Sequence, residues 1–324
     1  MGENFDGNAF IPQAMEKGAV CAVTSRKDNF PFPYILVDDT LKALGDFAKN
    51  YKSRFSLLTV GVTGSVGKTS TKEFIYAVLS QKYKTAKTDG NFNNEIGMPL
   101  TLIGIDSSYK AAVIEMGMRG MGEISYLTKI ARPDIAVITN IGTSHLENLG
   151  TRENIAKAKL EIAEGLPDDG ILILNGDEPL LKNIGNIKNK VIYAGINDKN
   201  CDYLAYNIKE FPDFISFSVK CPENKIFEDI KIPVVGVHNV LNSLYAIVIG
   251  LISGMDENSV REGLFAYKGV KLRGEISNKN GVTVIEDCYN ASPESMRASL
   301  MVLSHIAKEN GGRKIAFLGD MKEL

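Results

Sequence analysis

The stretch that most constrains this chain is residues 55 to 73, FSLLTVGVTGSVGKTSTKE. An apolar run rich in Leu and Val ends at Gly61, a glycine-spaced turn follows, and Gly67, Lys68 and Thr69 open an amphipathic pattern running to about Tyr83. That order reads as strand, phosphate loop and helix. Glycine at 61, 64 and 67 lets the backbone turn its N–H groups onto an oxyanion, and the helix N-terminus adds a favourable dipole. Lys68 then supplies a point charge to the β and γ phosphates of a nucleotide, and the Thr69 hydroxyl a ligand for Mg²⁺. In the commonest GxxxxGK[ST] spacing the first glycine would fall on Val62, so the loop here, GxxGxxGKT, is a variant. The alternative is a bland glycine-rich turn.

A net charge of -2 over 324 residues argues against a nucleic-acid or membrane-surface protein, so an anionic substrate must be met by local positive groups. Length suggests two or three domains. Cys21, Cys201, Cys221 and Cys288 show no framework spacing, which suits a reducing cytoplasm and small buried thiols. No run approaches the roughly 20 apolar residues of a membrane span. Both ends look cut: the chain opens without a first strand to pack on and stops just after an expected strand.

Residues 1–53 read as a small α/β piece, with a helix over 10–17, short strands in GAVCAVTS and YILVDD, and a helix over 40–51. From 55 to about 178 strands and helices alternate: strands 55–62, 110–116, 134–139 and 170–174, helices 67–82, 122–131 and 152–164. This pattern predicts an α/β fold with a parallel sheet and right-handed crossovers, and ligands at the carboxyl ends of its strands. Suspicion therefore falls on Thr63 to Thr69, Glu115, Asn140, His145 and Asn175 to Asp177. From Lys190 to Val235 the alternation in ISFSVKC predicts a small antiparallel sheet appended to the parallel one. Helices over 238–253 and 256–267 follow, the second with Asp256 as N-cap. A linker at KGVKLRGE leads into a second strand, helix, strand unit, in GVTVIEDC, SPESMRASLMVLSHIAKEN and RKIAFLGD.

Other residues carry weaker signals. Asn91, Asn93 and Asn94 are either turn formers or contacts to a polar substrate beside the γ phosphate. Glu115 ends a buried strand, where an unpaired carboxylate is expensive; a metal resolves that cost, and so would Arg119. Thr69, Glu115 and His145 together could form a mixed oxygen and nitrogen shell for divalent ions on ATP. Lys157 and Lys159 share a helix whose plain reading is a solvated face. Asn239 and Asn242, one turn apart, either cap their helix or present amides to adenine. Arg273 in the linker can reach a phosphate if domains close, and Asp287 ends a strand ahead of Tyr289 and Asn290.

Ten blocks in register, FDGNAFIPQA, TGSVGKTSTKE, GNFNNEIGMPLTL, EMGMRGMGEI, TNIGTSHLE, AKAKLEI, NGDEP, GVHNVLNSL, DCYNASPESM and GDMKEL, resemble those of the Mur ligases. The variant loop spacing is that family's own form; Val66 stands where Asn is frequent and Ser65 where many relatives carry Thr. The resemblance implies a partial N-terminal UDP-substrate domain (1–53), a central ATP-binding domain (54–272) and the start of a C-terminal ligase domain (273–324). It implies ATP and two Mg²⁺, with Gly64, Ser65, Gly67, Lys68, Thr69 and Ser70 holding phosphates and Thr69, Glu115 and His145 the metal. It further implies a carbamate on Lys159, Asn239 with Asn242 at adenine, Arg273 at the phosphates and Asp287 at the ribose. Substrate contacts fall to Asn91, Asn93, Asn94, Tyr289 and Asn290.

Within the family, DCYNASPESM is most similar to the branch that joins D-alanyl-D-alanine to UDP-N-acetylmuramoyl-tripeptide through an acyl phosphate. That implies a monomeric cytoplasmic enzyme of peptidoglycan precursor synthesis, serving cell shape and division, with Lys68, Lys159 and His145 at the chemistry. The alternatives are the tripeptide-forming ligase, a folylpolyglutamate synthase-like enzyme, or a nucleotide-binding module without turnover.

Overall fold

The structure, a computed structural model, describes residues 6–321 apart from 28, 183, 186, 311 and 312. The first matched block begins, and the last one ends, in residues outside that description.

The N-terminal part holds α1 (Ile11–Glu16), β1 (Ala22–Thr24), β2 (Tyr34–Leu36) and α2 (Thr40–Lys52), with β1 and β2 paired in parallel. Asp39 caps α2 by accepting the N–H groups of Leu41 and Lys42. The central part runs β3 (Leu58–Thr63), α3 (Lys68–Leu79), β4 (Thr85–Lys87), α4 (Gly97–Ile103), β5 (Ala111–Glu115), α5 (Glu123–Ala131), β6 (Ile135–Ile138), α6 (Leu146–Leu149), α7 (Arg152–Leu160) and β7 (Ile171–Asn175). It continues through β8 (Lys190–Gly195), β9 (Tyr203–Glu210), β10 (Ile215–Lys220), β11 (Ile226–Ile232), α8 (His238–Ile252) and α9 (Glu257–Phe265). The last part is β12 (Glu275–Lys279), β13 (Val282–Glu286) and α10 (Pro293–Asn310).

One nine-stranded sheet, ordered β11-β10-β9-β8-β7-β6-β3-β5-β4, carries the centre. The strands from β4 to β9 pair in parallel, and β9, β10 and β11 pair antiparallel. The expected antiparallel strands are therefore present and, as expected, appended to the parallel sheet, which they continue through β9. Burial on both faces explains the apolar runs. In β5, Ala111 and Val113 join the core under α3 and α8, while Ala112 and Ile114 join the core under α4, α5 and α7. Successive side chains alternate between the two cores, as the pleat requires.

Several expectations change. β4 and α4 were not legible: β4 has three residues at the sheet edge, and α4 begins at a glycine within an apolar run. β12 pairs antiparallel with β13 across Asn280 and Gly281, both at positive φ, so the expected lone strand is half of a hairpin. Residues 313–320, expected as a strand, have no strand assignment; Phe317 there is 95% exposed, and among the described residues no strand pairs with this segment. Of the four cysteines only Cys221 is buried, and Cys21 and Cys288 are exposed. Lys157 lies on the exposed side of α7, whereas Lys159 is 1% exposed, so the solvated-face reading fails for the second lysine.

Candidate active site

The sheet order puts β3 between β5 and β6, with β5 and β4 on one side of it and β6 to β11 on the other. That switch point opens a crevice at the carboxyl ends of the strands. It is the mouth of a cleft of about 1610 Å³.

The phosphate loop forms its floor. Gly64 (φ +150°) and Gly67 (φ +83°) take backbone conformations that L side chains rarely adopt. A Cβ on Gly64 would meet Thr139 Oγ1 at 1.9 Å, and one on Gly67 would meet Asn242 Oδ1 at 2.7 Å. Only glycine lets β6 and α8 press this closely on the loop. Asn140 Oδ1 accepts the N–H groups of Ser65 at 3.1 Å and Val66 at 2.9 Å, and the Thr139 hydroxyl donates to Val66 O at 2.6 Å. The Lys68 ammonium folds back on the carbonyls of Gly64 (2.8 Å) and Ser65 (3.2 Å), within reach of the cleft it lines. Ser65 Oγ is buried and has no hydrogen-bond partner, an orphan that an incoming oxyanion would satisfy.

Glu115, at the end of β5, is 2% exposed and lines the same cleft. Its Oε1 accepts from Asn93 Nδ2 at 2.9 Å, while Oε2 accepts no hydrogen bond and has Lys72 Nζ 3.9 Å away. Its ion pair is with Lys72 and not with the expected Arg119 guanidinium; the Arg119 backbone N–H goes to Glu123. A buried carboxylate oxygen left without a donor is the signature expected of a cation ligand. Thr69, 7% exposed, and His145, at φ +67° ahead of α6, line the cleft with it. Among the described residues no three His, Cys, Asp or Glu side chains converge as a metal cluster. A divalent ion on Thr69, Glu115 and His145 therefore needs phosphate oxygens to complete its shell, which suits an ion that arrives with a nucleotide.

The cleft also gathers Ser70, Asn91, Asn93, Asn94, Asn239, Asn242, Arg273, Asp287, Tyr289 and Asn290. Asn94 has a structural duty besides: its Oδ1 accepts the N–H groups of Ile96 and Gly97 and starts α4. Asn242 accepts from Thr71 and donates to Asn239, which in turn donates to Val235 O. The Arg273 guanidinium stacks 4.2 Å over the ring of Tyr289, and Asp287 accepts the Ser299 hydroxyl. Gly64 and Lys159 do not line the cleft: the glycine packs against Thr139, and Lys159 is buried in α7.

Sequence reasoning passed over Lys72, Thr139 and Glu294. Glu294, in the first turn of α10, accepts the Thr143 N–H at 3.1 Å and so reaches the loop that carries His145. No motif marks such a contact, because its partners are 151 residues apart.

The model of the Mur ligase middle domain matches residues 62–250, and that of the Mur ligase glutamate ligase domain matches residues 272–324. The chain belongs to the Mur ligase family. This Mur ligase is 44% identical to UDP-N-acetylmuramoyl-tripeptide–D-alanyl-D-alanine ligase of Bacillus subtilis (strain 168), across all of its own length and 70% of that relative's. The enzyme of the same description from Escherichia coli (strain K12) is 36% identical, with 100% of this chain and 71% of that one covered. Among solved structures, MurF from Acinetobacter baumannii superposes with a TM-score of 0.88 at 32% identity, covering 94% of this chain and 67% of that one. MurF from Thermotoga maritima in complex with ADP gives 0.85 at 31% identity, covering 94% and 70%. A folylpolyglutamate synthase from Mycobacterium tuberculosis, at 18% identity and a TM-score of 0.66, shares the fold.

Proposed function

We propose that this Mur ligase joins D-alanyl-D-alanine to UDP-N-acetylmuramoyl-tripeptide with ATP and Mg²⁺, in peptidoglycan precursor synthesis. The observation that carries the reading is convergence: Lys68, Thr69, Glu115 and His145, from three loops distant in sequence, line one cleft with Arg273, Asp287 and Tyr289 of the C-terminal part. The identity to relatives bearing that description, over the whole chain, supports the choice of substrates. The ADP in the related Thermotoga maritima structure supports nucleotide use.

In this reading residues 1–53 contribute to UDP-substrate binding, 54–272 to ATP binding and 273–324 to ligation. The loop amides and Lys68 hold the β and γ phosphates. A carboxylate oxygen of the tripeptide attacks the γ phosphorus, and the bond to the β–γ bridging oxygen breaks to release ADP. The amine of D-alanyl-D-alanine then attacks the acyl carbon, loses a proton, and phosphate departs. Mg²⁺, held by Thr69, Glu115 and His145, supplies neutralisation of phosphate charge. Asn239 and Asn242 meet the adenine, Asp287 the ribose, and Asn91, Asn93, Tyr289 and Asn290 the acceptor side. Lys159 carries a carbamate only if its buried position opens toward the cleft. No enzyme nucleophile is needed, so positioning and charge do most of the work.

Among the described residues no helix is long and apolar enough to cross a membrane. From the family resemblance we propose that the reaction is run in the cytoplasm by a monomer. The test is phosphate release and product mass with ATP, Mg²⁺, UDP-N-acetylmuramoyl-tripeptide and D-alanyl-D-alanine. Turnover with a single L-amino acid or with glutamate on a folate, and none with the dipeptide, would move the assignment to the tripeptide-forming or folylpolyglutamate-type enzymes. Nucleotide binding without turnover would leave a binding module.

A further inference from the structure

Lys72 lies one turn beyond Lys68 on α3, yet it is 1% exposed and does not line the cleft. Its ammonium donates to Thr88 O at 2.6 Å and sits 3.1 Å from Glu73 Oε1 and 3.9 Å from Glu115 Oε2. Glu73 has a second cation, Lys87, at 2.5 Å. Two lysines and two glutamates thus balance, with Glu115 the one of the four that lines the cleft and Lys72 beside its buried, undonated oxygen. An apolar side chain would fill the Lys72 position without the desolvation cost of a buried ammonium, so the charge needs a reason.

We infer that Lys72 is a positioning residue that acts as a counter-charge on Glu115, keeping the empty carboxylate from holding a divalent cation tightly until a nucleotide brings one. The inference rests on the reading of Glu115 as a metal ligand. Asn93 fixes one oxygen of Glu115 and so its direction. Lys72 then opposes the approach of a bare cation to the other oxygen, while nucleotide phosphates add the negative charge that outweighs it. The weak grip this produces lets the metal leave with ADP.

The test is Mn²⁺ binding to the whole chain without nucleotide, followed by electron paramagnetic resonance of free Mn²⁺, in wild type, Lys72→Met, Glu73→Gln and Glu115→Gln. Removing one unit charge a few ångströms from the site is expected to tighten Mn²⁺ binding about tenfold in Lys72→Met. Glu73→Gln, which leaves Lys72 less compensated, is expected to weaken it about threefold or more, and Glu115→Gln to lose it. Damage to the packing alone would weaken binding in Lys72→Met, so the sign is diagnostic. Equal or weaker binding in a folded Lys72→Met overturns the counter-charge and leaves the ligand reading standing. If Lys72→Met does not fold, unchanged binding in Glu73→Gln overturns it instead. Wild-type binding in Glu115→Gln overturns the ligand role and the inference together.

Discussion

The carboxylate of Glu294 accepts the backbone N–H of Thr143 at 3.1 Å, tying the first turn of α10 to the loop between β6 and α6. His145 is two residues further on, so this hydrogen bond, with those that the Thr143 hydroxyl gives the same carboxylate, joins the C-terminal part to the segment that carries the proposed metal ligand. A Cβ on Gly142 would stand 3.0 Å from the same carboxylate, so the approach is close. Glu294→Ala is expected to cost about 1 kcal/mol in stability, and to lower ligation more than ATP binding. Urea unfolding beside ATP titration and steady-state turnover checks both halves.

Lys68→Ala removes the only lysine placed on the phosphate loop. Turnover, measured as phosphate release with all substrates present, is expected to fall by at least about a hundredfold while the fold, read by circular dichroism, stays intact.

Gly64→Ala places a methyl against Thr139 Oγ1, and does so at φ +150°. A loss of about 1–3 kcal/mol is expected, with weaker nucleotide binding as the loop shifts. Combining it with Thr139→Ala removes the atom in the way, so the double variant should lose less than the sum of the singles. Thermal melts of all four proteins, with and without ATP, measure the coupling.

Asn140→Ala leaves the N–H groups of Ser65 and Val66 without their side-chain acceptor. The loop then loses its set shape, and KM for ATP is expected to rise about tenfold. Asn140→Asp keeps an acceptor but sets a negative charge against the phosphates, so its KM should rise further and respond more to added salt.

The strand, loop and helix around Lys68 were legible because a strand, three glycines and Lys68-Thr69 are contiguous, and local sequence decides that structure. The strand end at Glu115 and the loop after β6 that carries His145 were legible too, since a parallel sheet delivers its loops to one edge. What was hidden depends on contacts far apart in sequence. Lys72 reads as an ordinary charged helix position until α3 is seen packed into the sheet, and Lys159 reads as solvated for the same reason. The β12–β13 hairpin had a local mark, Asn280-Gly281 between two short runs, whereas β4 had none. Residues 313–320 have strand-like composition, but a strand needs a neighbour.

The place of β3 between β5 and β6 bears on how the chain comes into being. A ribosome releases the loop around Lys68 well before Glu115 and earlier still than Asn140, yet Asn140 is what closes two of the loop's amides. A nascent chain therefore holds a nucleotide poorly until it has emerged through the loop that carries Asn140 and two more strands have docked, and ATP can favour the assembled sheet only from that moment.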